Sequence, residues 1–415
     1  MFDETLKSIE NRKATLVRIL VFLILFSSMT TPSLVFAETE ENKMQTEAKK
    51  ENSISPSSLK FGAYIDTYYL QNLNRPVVKE REFTTQAVRN QEFNVNMAHV
   101  EAKLEEEKYR GRLALHWGTS VVANTASEVN SDRYSNQLST RNIQEAFAGV
   151  KVGKETWLDM GVFFGNIGYE SWISQNNINY TRAFALDYVP YYSSGIRLSH
   201  RFNQKWSGQL QILNGWQNIT ETNKDKAFGS QILFKIFPNV TLTLNQFVGN
   251  EAPNTERKQI RLYNNTILEW HISEHWLIAL QADIGAQRAG ERFAYEPWWR
   301  AYDPSLSETR EERSLAFRQW YHGTLWLSYK ISSDYRLSFR VERFYDPKQV
   351  LAVSNSPNGF IAYGYTTTFD ILSFEPALLR FEYVYRRSMD SIFPYRDAKT
   401  SAKEDFFIFA FSLRL

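Results

Sequence analysis

The sequence predicts an all-β protein, a transmembrane antiparallel up-and-down β-barrel of about sixteen strands. Three observations lead to this prediction. Strand-like segments of membrane-crossing length follow one another from residue 59 onward, their connections alternate between short and long, and an apolar strand ends at the last residue. Together these features are typical of a bacterial outer-membrane barrel.

The strand-like segments are alternating or aromatic-rich runs. Each is close to or above the roughly 9–11 residues that a tilted strand needs to cross a bilayer. They lie at about 59–70, 91–104, 108–118, 141–152, 155–165, 188–202, 206–214, 226–237, 240–249, 259–272, 275–286, 317–331, 334–346, 359–370, 377–386 and 404–415. Their even number is the one expected of a single-chain bacterial barrel.

The connections alternate in length without exception. Short turns lie at 105–107, 153–154, 203–205, 238–239, 273–274, 332–333 and 373–376. Long polar segments lie at 71–90, 119–140, 166–187, 215–225, 250–258, 287–316, 347–358 and 387–403. A soluble sandwich or propeller has no reason to keep its long loops at one end. The pattern therefore predicts short periplasmic turns and long extracellular loops.

Within the strands, apolar and polar residues alternate. Over 335–342, tyrosine, leucine, phenylalanine and valine share one face, and arginine, serine and glutamate share the other. In a soluble β-protein the apolar face would be the core, whereas in a membrane barrel it faces lipid. Alternation alone does not separate these two readings. Aromatic residues make up 15% of the chain, and many lie near strand ends, which favours membrane-interface girdles.

The last strand presents a continuous apolar face that reaches the chain terminus. It consists of Phe407, Phe409, Phe411, Leu413 and Leu415. Pairing of this strand with the first would close the barrel and remove both sheet edges. The ending resembles the signal read by the barrel-assembly machinery, which usually terminates in phenylalanine rather than leucine. We therefore expect that machinery and outer-membrane lipid as partners.

The amino terminus predicts export. Basic residues precede an apolar run that begins at Ile19, and Val35-Phe36-Ala37 offers a cleavage site, so residues 1–37 read as a signal peptide. Residues 38–58 are polar, lack aromatic side chains and read as a flexible periplasmic leader. The barrel then occupies 59–415. The expected location is the bacterial outer membrane.

Composition and motifs argue against several functional classes. The chain has 48 Lys+Arg against 46 Asp+Glu and no cysteine, so neither nucleic-acid binding nor a disulfide or zinc–thiolate scaffold is indicated. Common nucleotide, hydrolase and metalloprotease motifs are missing. His271 and His275 have the spacing of a helical metal pair, but they flank a predicted tight turn. We predict no metal, no cofactor, no catalytic residue and no enzymatic activity.

Several stretches resemble the OmpL-like β-barrel porin family. They are Phe61–Tyr69 with Asn74-Arg75-Pro76, Asn179–Arg182, Pro190–Arg197 and Leu213–Trp216. The family more often carries serine where Thr181 stands and histidine near Ser193. The resemblance covers most of 59–290 and is weaker afterwards. It implies an outer-membrane channel without catalytic residues and leaves the substrate open.

A porin needs only a hydrated lumen that inward side chains, and sometimes a folded loop, make narrower. We therefore expect passive diffusion of ions and small hydrophilic solutes. Arginine outnumbers glutamate among the candidate lining residues, which predicts a slight anion preference. Segments 119–140 and 287–316 are expected to fold inward, with bulk supplied by 296–302. The pore-lining candidates are Arg197, Arg201, Arg336, Arg340, Glu342, Arg380, Glu382 and Arg386.

Two other functional classes fit the same pattern. A surface adhesin or receptor would have a plugged lumen and binding loops, and an outer-membrane hydrolase would need a serine–histidine pair on the lipid side. For each lining candidate, the alternative is that its side chain only solvates the lumen or pairs with a residue on a neighbouring strand.

Porins with about this number of strands are often trimers, so a homo-trimer is an expectation by analogy of fold.

Overall fold

The computed structural model describes residues 58–128, 138–288 and 316–415. In these ranges sixteen antiparallel strands close into one barrel in which each strand pairs with its neighbours along the chain. The strands are β1 (Leu59–Asn72), β2 (Phe93–Glu105), β3 (Tyr109–Trp117), β4 (Ile143–Gly153), β5 (Thr156–Phe164), β6 (Tyr192–Arg201), β7 (Trp206–Leu213), β8 (Ala227–Phe237), β9 (Val240–Asn250), β10 (Ile260–His271), β11 (Trp276–Arg288), β12 (Phe317–Lys330), β13 (Tyr335–Asp346), β14 (Phe360–Ile371), β15 (Ala377–Ser388) and β16 (Lys403–Arg414). The predicted fold class is confirmed. The predicted signal peptide and almost all of the leader lie outside the described residues.

The barrel closes between its first and last strands. β1 pairs with β16 in a register that runs from Tyr64 opposite Arg414 to Asn72 opposite Phe406. The Leu415 amide donates to the Ala63 carbonyl at 2.8 Å, and the Ala63 amide donates back at 3.1 Å. The chain terminus is thus part of the sheet, and no strand edge is left unpaired at the seam.

The two faces of the wall have opposite character. On β13, Phe339 and Val341 are exposed on the outside, whereas Arg340 and Glu342 are buried inside. The apolar face therefore meets lipid and the charged face meets the lumen, which is the arrangement expected of a membrane barrel. Trp276 lies exposed at the short-turn end of β11, beside Tyr329 at 4.4 Å between ring centroids. Such pairs suit a membrane interface.

The long connections carry small elements of their own. Helix α1 spans Thr119–Asn124 and helix α2 spans Leu138–Arg141. Single 3₁₀ turns lie at Ser174–Asn176, Leu186–Tyr188 and Arg396–Ala398, and a two-residue ladder joins Phe393–Pro394 to Thr400–Ser401. Among the described residues, no helix combines the length and apolarity needed to span a bilayer.

An aromatic core fills the barrel on the side of the long loops. Trp216 packs edge-on against Phe247 and Tyr263, with ring centroids 4.8 and 5.0 Å apart. Tyr263 in turn stacks with Trp320 at 6.0 Å. Further buried members include Phe163, Trp172, Phe184, Tyr191, Tyr192, Phe344, Phe360 and Phe393. The extracellular half of this barrel is therefore packed much like the core of a soluble protein.

Replacement of Gly285 by alanine is expected to destabilise the barrel by about 1–3 kcal/mol. Gly285 lies opposite Trp320 in the register, and an added Cβ would overlap the buried indole ring. Gly323 is the matched control, because a Cβ there meets nothing within 4 Å. Urea titrations of the refolded proteins measure both effects. Equal midpoints for the two variants would contradict the packing role of Gly285.

Candidate functional site: a loop held inside the barrel

The connection between β5 and β6, residues 165–191, folds into the lumen; we call it the inner loop. The Gly165 amide donates to the Tyr191 carbonyl at 2.9 Å, which brings the two ends together as in an Ω-loop. Its polar residues Asn179, Thr181 and Arg182 have no exposed surface. A buried loop must satisfy its backbone groups from the surrounding wall, so those contacts define the site.

Glu382 on β15 holds the tip of the inner loop. Its carboxylate accepts hydrogen bonds from the amides of Tyr180 and Thr181 at 2.6 and 2.9 Å. The hydroxyl of Thr181 donates to it at 2.5 Å, and Thr368 on β14 donates at 2.7 Å. Charge-assisted bonds of this kind are about twice as strong as neutral ones. The carboxylate is therefore an anchor for the backbone of the loop.

Arg340 on β13 holds the same loop from a second side. Its guanidinium donates to the carbonyl of Thr181 at 2.5 Å and to the carboxylate of Glu170 at 3.0 Å. Glu170 also accepts from the Trp326 indole at 3.0 Å. Beside Arg340, Glu342 accepts from the Phe184 amide at 2.5 Å. The two neighbouring inward residues of β13 therefore bind three separate parts of the loop.

A third clamp joins β15 and β1. Arg380 donates to the carbonyls of Ser174 and Asn177 at 3.1 and 3.0 Å and pairs with Asp370 at 2.6 Å. Asp66 on β1 accepts from the hydroxyls of Ser174 and Tyr180 at 2.8 and 2.9 Å. Since these partners lie on opposite sides of the barrel seam, the loop closes over it from within.

Neutral side chains on β9–β11 hold the first residues of the loop. Asn245 accepts from Asn166 at 3.2 Å, Asn265 from the Gly168 amide at 3.2 Å, and Gln281 from the Tyr169 amide at 2.9 Å. Asn166 also bonds to Ser230 and Gln231 on β8. With the three charged clamps, the inner loop is attached to an arc of the wall that runs from β8 through β15 to β1.

On the wall from β2 to β6, three arginines keep contact with solvent, although two of their acid partners, Glu145 and Asp159, are buried. The arginine side chains of this charged wall are 18–26% exposed. Arg110 and Arg197 both pair with Asp159, at 2.6 and 2.9 Å, and Arg112 pairs with two glutamates at 2.6 and 2.5 Å. The charged wall comprises Arg110, Arg112, Arg197, Glu101, Glu145 and Asp159.

The structure divides the predicted lining residues into two groups. Five are buried: Arg340, Glu342, Arg380 and Glu382 bind the inner loop or its clamps, and Arg386 lies 4.7 Å from the Phe184 ring. Arg197 and Arg336 are partly exposed in the lumen, and Arg201 is exposed at the short-turn end of β6. That these residues line a conducting path stays a prediction.

The expectation that 119–140 and 287–316 fold inward stays a prediction. In 119–128, Val121 joins the buried core, but residues 165–191, which were not expected to fold inward, occupy the lumen. Segment 289–315, with its bulky 296–302, lies outside the described residues. The sequence held a signal for the inner loop, because Trp172, Ile173, Ile178, Tyr180 and Phe184 make it too apolar for a solvent-exposed loop.

Residues of the charged wall were also missed. Arg110 and Arg112 flank Gly111 in an alternating run, Tyr109–Leu113, which the predicted strand at 108–118 contained. Their carboxylate partners lie on β2, β4 and β5. Inward polar positions could therefore be read from the alternation, but which arginine meets which acid depends on strand register.

Comparison with known proteins places this geometry in a family. A family model described as "Putative beta-barrel porin-2, OmpL-like" matches residues 58–415. The chain belongs to this family. The suspected resemblance is thus confirmed, and with it the outer-membrane location. No curated protein matches the sequence.

Solved structures share the fold of this porin-family chain at low sequence identity. The anion-selective porin from Comamonas acidovorans is 7% identical, with a TM-score of 0.55, over 86% of this chain and 99% of that chain. The outer membrane channel DcaP of Acinetobacter baumannii is 10% identical, with a TM-score of 0.52, over 87% and 99%. OmpT of Vibrio cholerae is 9% identical, with a TM-score of 0.52, over 86% and 97%. Likeness at this identity shows the shared barrel.

Acid is expected to tighten the inner loop through Asp187. This carboxylate accepts from the amide and hydroxyl of Thr85 at 2.9 and 2.7 Å and so joins loop 73–92 to the inner loop. Burial raises the pKa of Asp187 to about 6, although the charges of Arg386 and Arg182 oppose the rise. The raised pKa means that the folded loop favours the protonated acid. Its stabilising effect is complete below about pH 4 and is lost as pH rises through about 6.

The rise in the pKa of Asp187 from its ordinary 3.8 to about 6 is equivalent to about 3 kcal/mol of folding free energy. We therefore expect slower proteolysis of the inner loop at pH 5 than at pH 7.5. Asp187→Asn, which mimics the neutral form, should protect the loop equally at both values. The same pH dependence in that variant would show that another group is responsible.

Proposed function

We propose that this protein is a narrow outer-membrane channel for ions and small hydrophilic solutes, with the inner loop as its constriction. The observation that supports it most is the contrast between the loop's clamps and the charged wall. The hydrogen-bonded clamps lie on β8–β15 and β1, and Trp172 contacts His116 on β3, whereas the arginines of the charged wall remain 18–26% exposed. Fixed charges beside a loop-narrowed lumen are sufficient to bias which ions pass. We assign no enzymatic role.

We propose weak ion selectivity in place of the anion preference expected from arginine counts. Arg110 and Arg197 share Asp159, and Arg112 bridges Glu101 and Glu145, so the charged wall is balanced. Arg340 and Arg380 are likewise paired with acids. A paired arginine presents little net field to a passing ion.

A second candidate is a receptor or adhesin whose lumen is closed. The observation in its favour is the aromatic core that fills the extracellular half, with Trp172 and Trp320 almost wholly buried. Such a barrel would display its long loops and conduct nothing.

Single-channel recording of the refolded mature chain in a planar bilayer separates the two candidates. Discrete conductance steps that vanish with heat-denatured protein are the expected result, and the reversal potential in a salt gradient should be small. A correctly folded barrel, recognised by its heat-modifiable mobility on a gel, that gives no steps would overturn the channel and favour the receptor.

We propose that the mature chain begins after Ala37, that its last strand is recognised by the barrel-assembly machinery, and that it forms a homo-trimer. The terminal face of Phe407, Phe409 and Phe411 is exposed to lipid. A structure titled as a trimer form of Vibrio cholerae OmpT matches with a TM-score of 0.51 and 9% identity. Amino-terminal sequencing of the mature protein tests the cleavage site, and light scattering of the detergent-solubilised protein tests the trimer.

A further inference from the structure

The lipid-facing side of the barrel carries three cations close together at its extracellular end. Arg343 on β13, Arg387 on β15 and Lys403 on β16 alternate with the inward residues of their strands, and all three are exposed. Cationic side chains on the lipid face of a barrel are costly at the bilayer midplane and tolerated near the interface. Their grouping in one place calls for a physical reason.

Strand register places these cations in a single row. Gly323 lies opposite Arg343, Arg343 opposite Tyr363, Tyr363 opposite Arg387, and Arg387 opposite Lys403. With neighbouring strands about 4.8 Å apart, the Cα atoms of the two arginines are separated by roughly 10 Å. Tyr363 lies between them in the register. The row therefore offers two guanidinium groups, a phenol hydroxyl and an ammonium group to one ligand.

Arg343, Tyr363 and Arg387 of this row line a groove of about 950 Å³ on the outer surface. Leu325 and Val341 line the part of the groove nearer the midplane, and Ile361 and Met389 line it on the extracellular side of the row. Gly323 leaves the floor open, since a Cβ there would meet nothing within 4 Å. The groove thus places cationic side chains next to an apolar surface that faces the bilayer.

Acids of the barrel do not neutralise the row. Along the described chain no ion pair involves Arg343, Arg387 or Lys403, whereas the preceding inward arginines Arg340 and Arg386 face acids in the lumen. The acid on the same face of β16, Asp405, interacts with the hydroxyl of Tyr383. The row therefore keeps a positive charge that an anionic ligand would complement.

We propose that this groove binds a phosphorylated glycolipid of the outer leaflet. Arg343 and Arg387 would take the headgroup phosphates through bidentate hydrogen bonds, with Lys403 as a further positive charge. Tyr363 would meet a sugar hydroxyl, and the acyl chains would lie along Leu325 and Val341. Charge complementarity favours this ligand over a two-fold contact with a second copy of the chain, in which the two rows would face and repel each other.

The test compares retention of bis-phosphorylated lipid A by the purified full-length mature protein in detergent, measured by native mass spectrometry. Arg343→Gln/Arg387→Gln should weaken retention roughly tenfold or more, because the double variant removes two positive charges beside the anionic headgroup. Arg288→Gln is the matched control: this outward arginine lies at the same end on β11, over the Phe317 ring at 6.0 Å, outside the groove. It should retain lipid A like the wild type.

Two further measurements identify which chemical groups of the lipid the groove recognises. Fully dephosphorylated lipid A should be retained as weakly by the wild type as intact lipid A is by the double variant. Inorganic phosphate should not displace the lipid, because it lacks the acyl chains. Equal retention of both lipids, displacement by free phosphate alone, or an unaffected double variant would each overturn the proposal. Unchanged heat-modifiable mobility and unchanged conductance of the double variant show that folding and the lumen are intact.

Discussion

Replacing Arg340 by alanine is expected to free the inner loop and to raise single-channel conductance severalfold. Arg340 is 1% exposed and donates to both the carbonyl and the hydroxyl of Thr181 and to Glu170. Without it, the carboxylates of Glu170 and Glu342 lose a buried positive partner. Removing one member of a buried pair commonly costs about 3–5 kcal/mol. The loop can avoid most of that cost by leaving the wall, which would widen the lumen.

Planar-bilayer recording measures the conductance, and limited proteolysis reports release of the loop. Arg336→Ala is the matched control, because Arg336 is an inward arginine of the same strand that pairs with Asp370, and its side chain is 26% exposed. That variant should keep the loop in place and leave conductance nearly unchanged. A loosened loop with unaltered conductance in Arg340→Ala would mean that the inner loop does not narrow the path.

The barrel itself was predictable from sequence because each of its rules is local. Side-chain alternation has a period of two, turn residues interrupt it, and the terminal phenylalanines lie on one face. The predicted segment at 334–346 and its neighbours therefore agree with β13 and the other strands within a few residues. Closure through Leu415 followed from the same local pattern.

Two residues that broke the alternation show where local rules stop. Val384 and Ile408 face inward among charged neighbours, and both are almost completely buried. They pack with Tyr68 and Phe406 around Tyr180 of the inner loop. An apolar residue on the polar face thus marked the place where a loop residue covers the wall, and sequence alone offered no partner for it.

The clamps could not be predicted because they join distant parts of the chain. Glu170 and Arg340 are 170 positions apart, and Tyr180 and Glu382 are 202 apart. Each acid or arginine was recognisable as an inward residue, but only the register and the path of the inner loop decide which of them meet. For the same reason Arg343 and Arg387, on separate strands, became one row only when β13–β15 were aligned.

Removing the positive charges of the charged wall is expected to make the channel cation-selective. In Arg110→Gln/Arg112→Gln/Arg197→Gln, the carboxylates of Glu101, Glu145 and Asp159 lose their partners and leave three negative charges beside the path. In a tenfold salt gradient the reversal potential should move from near zero toward the roughly 59 mV limit for a monovalent cation.

The complementary variant sets the sign of this effect. Glu101→Gln/Glu145→Gln/Asp159→Asn leaves the three arginines unpaired, so its reversal potential should move in the opposite direction. Both shifts should shrink as salt rises, because the Debye length falls from about 10 Å at 0.1 M to about 3 Å at 1 M. Two variants with the same reversal potential as the wild type would show that ions do not pass along this wall, and the path would then have to run elsewhere around the inner loop.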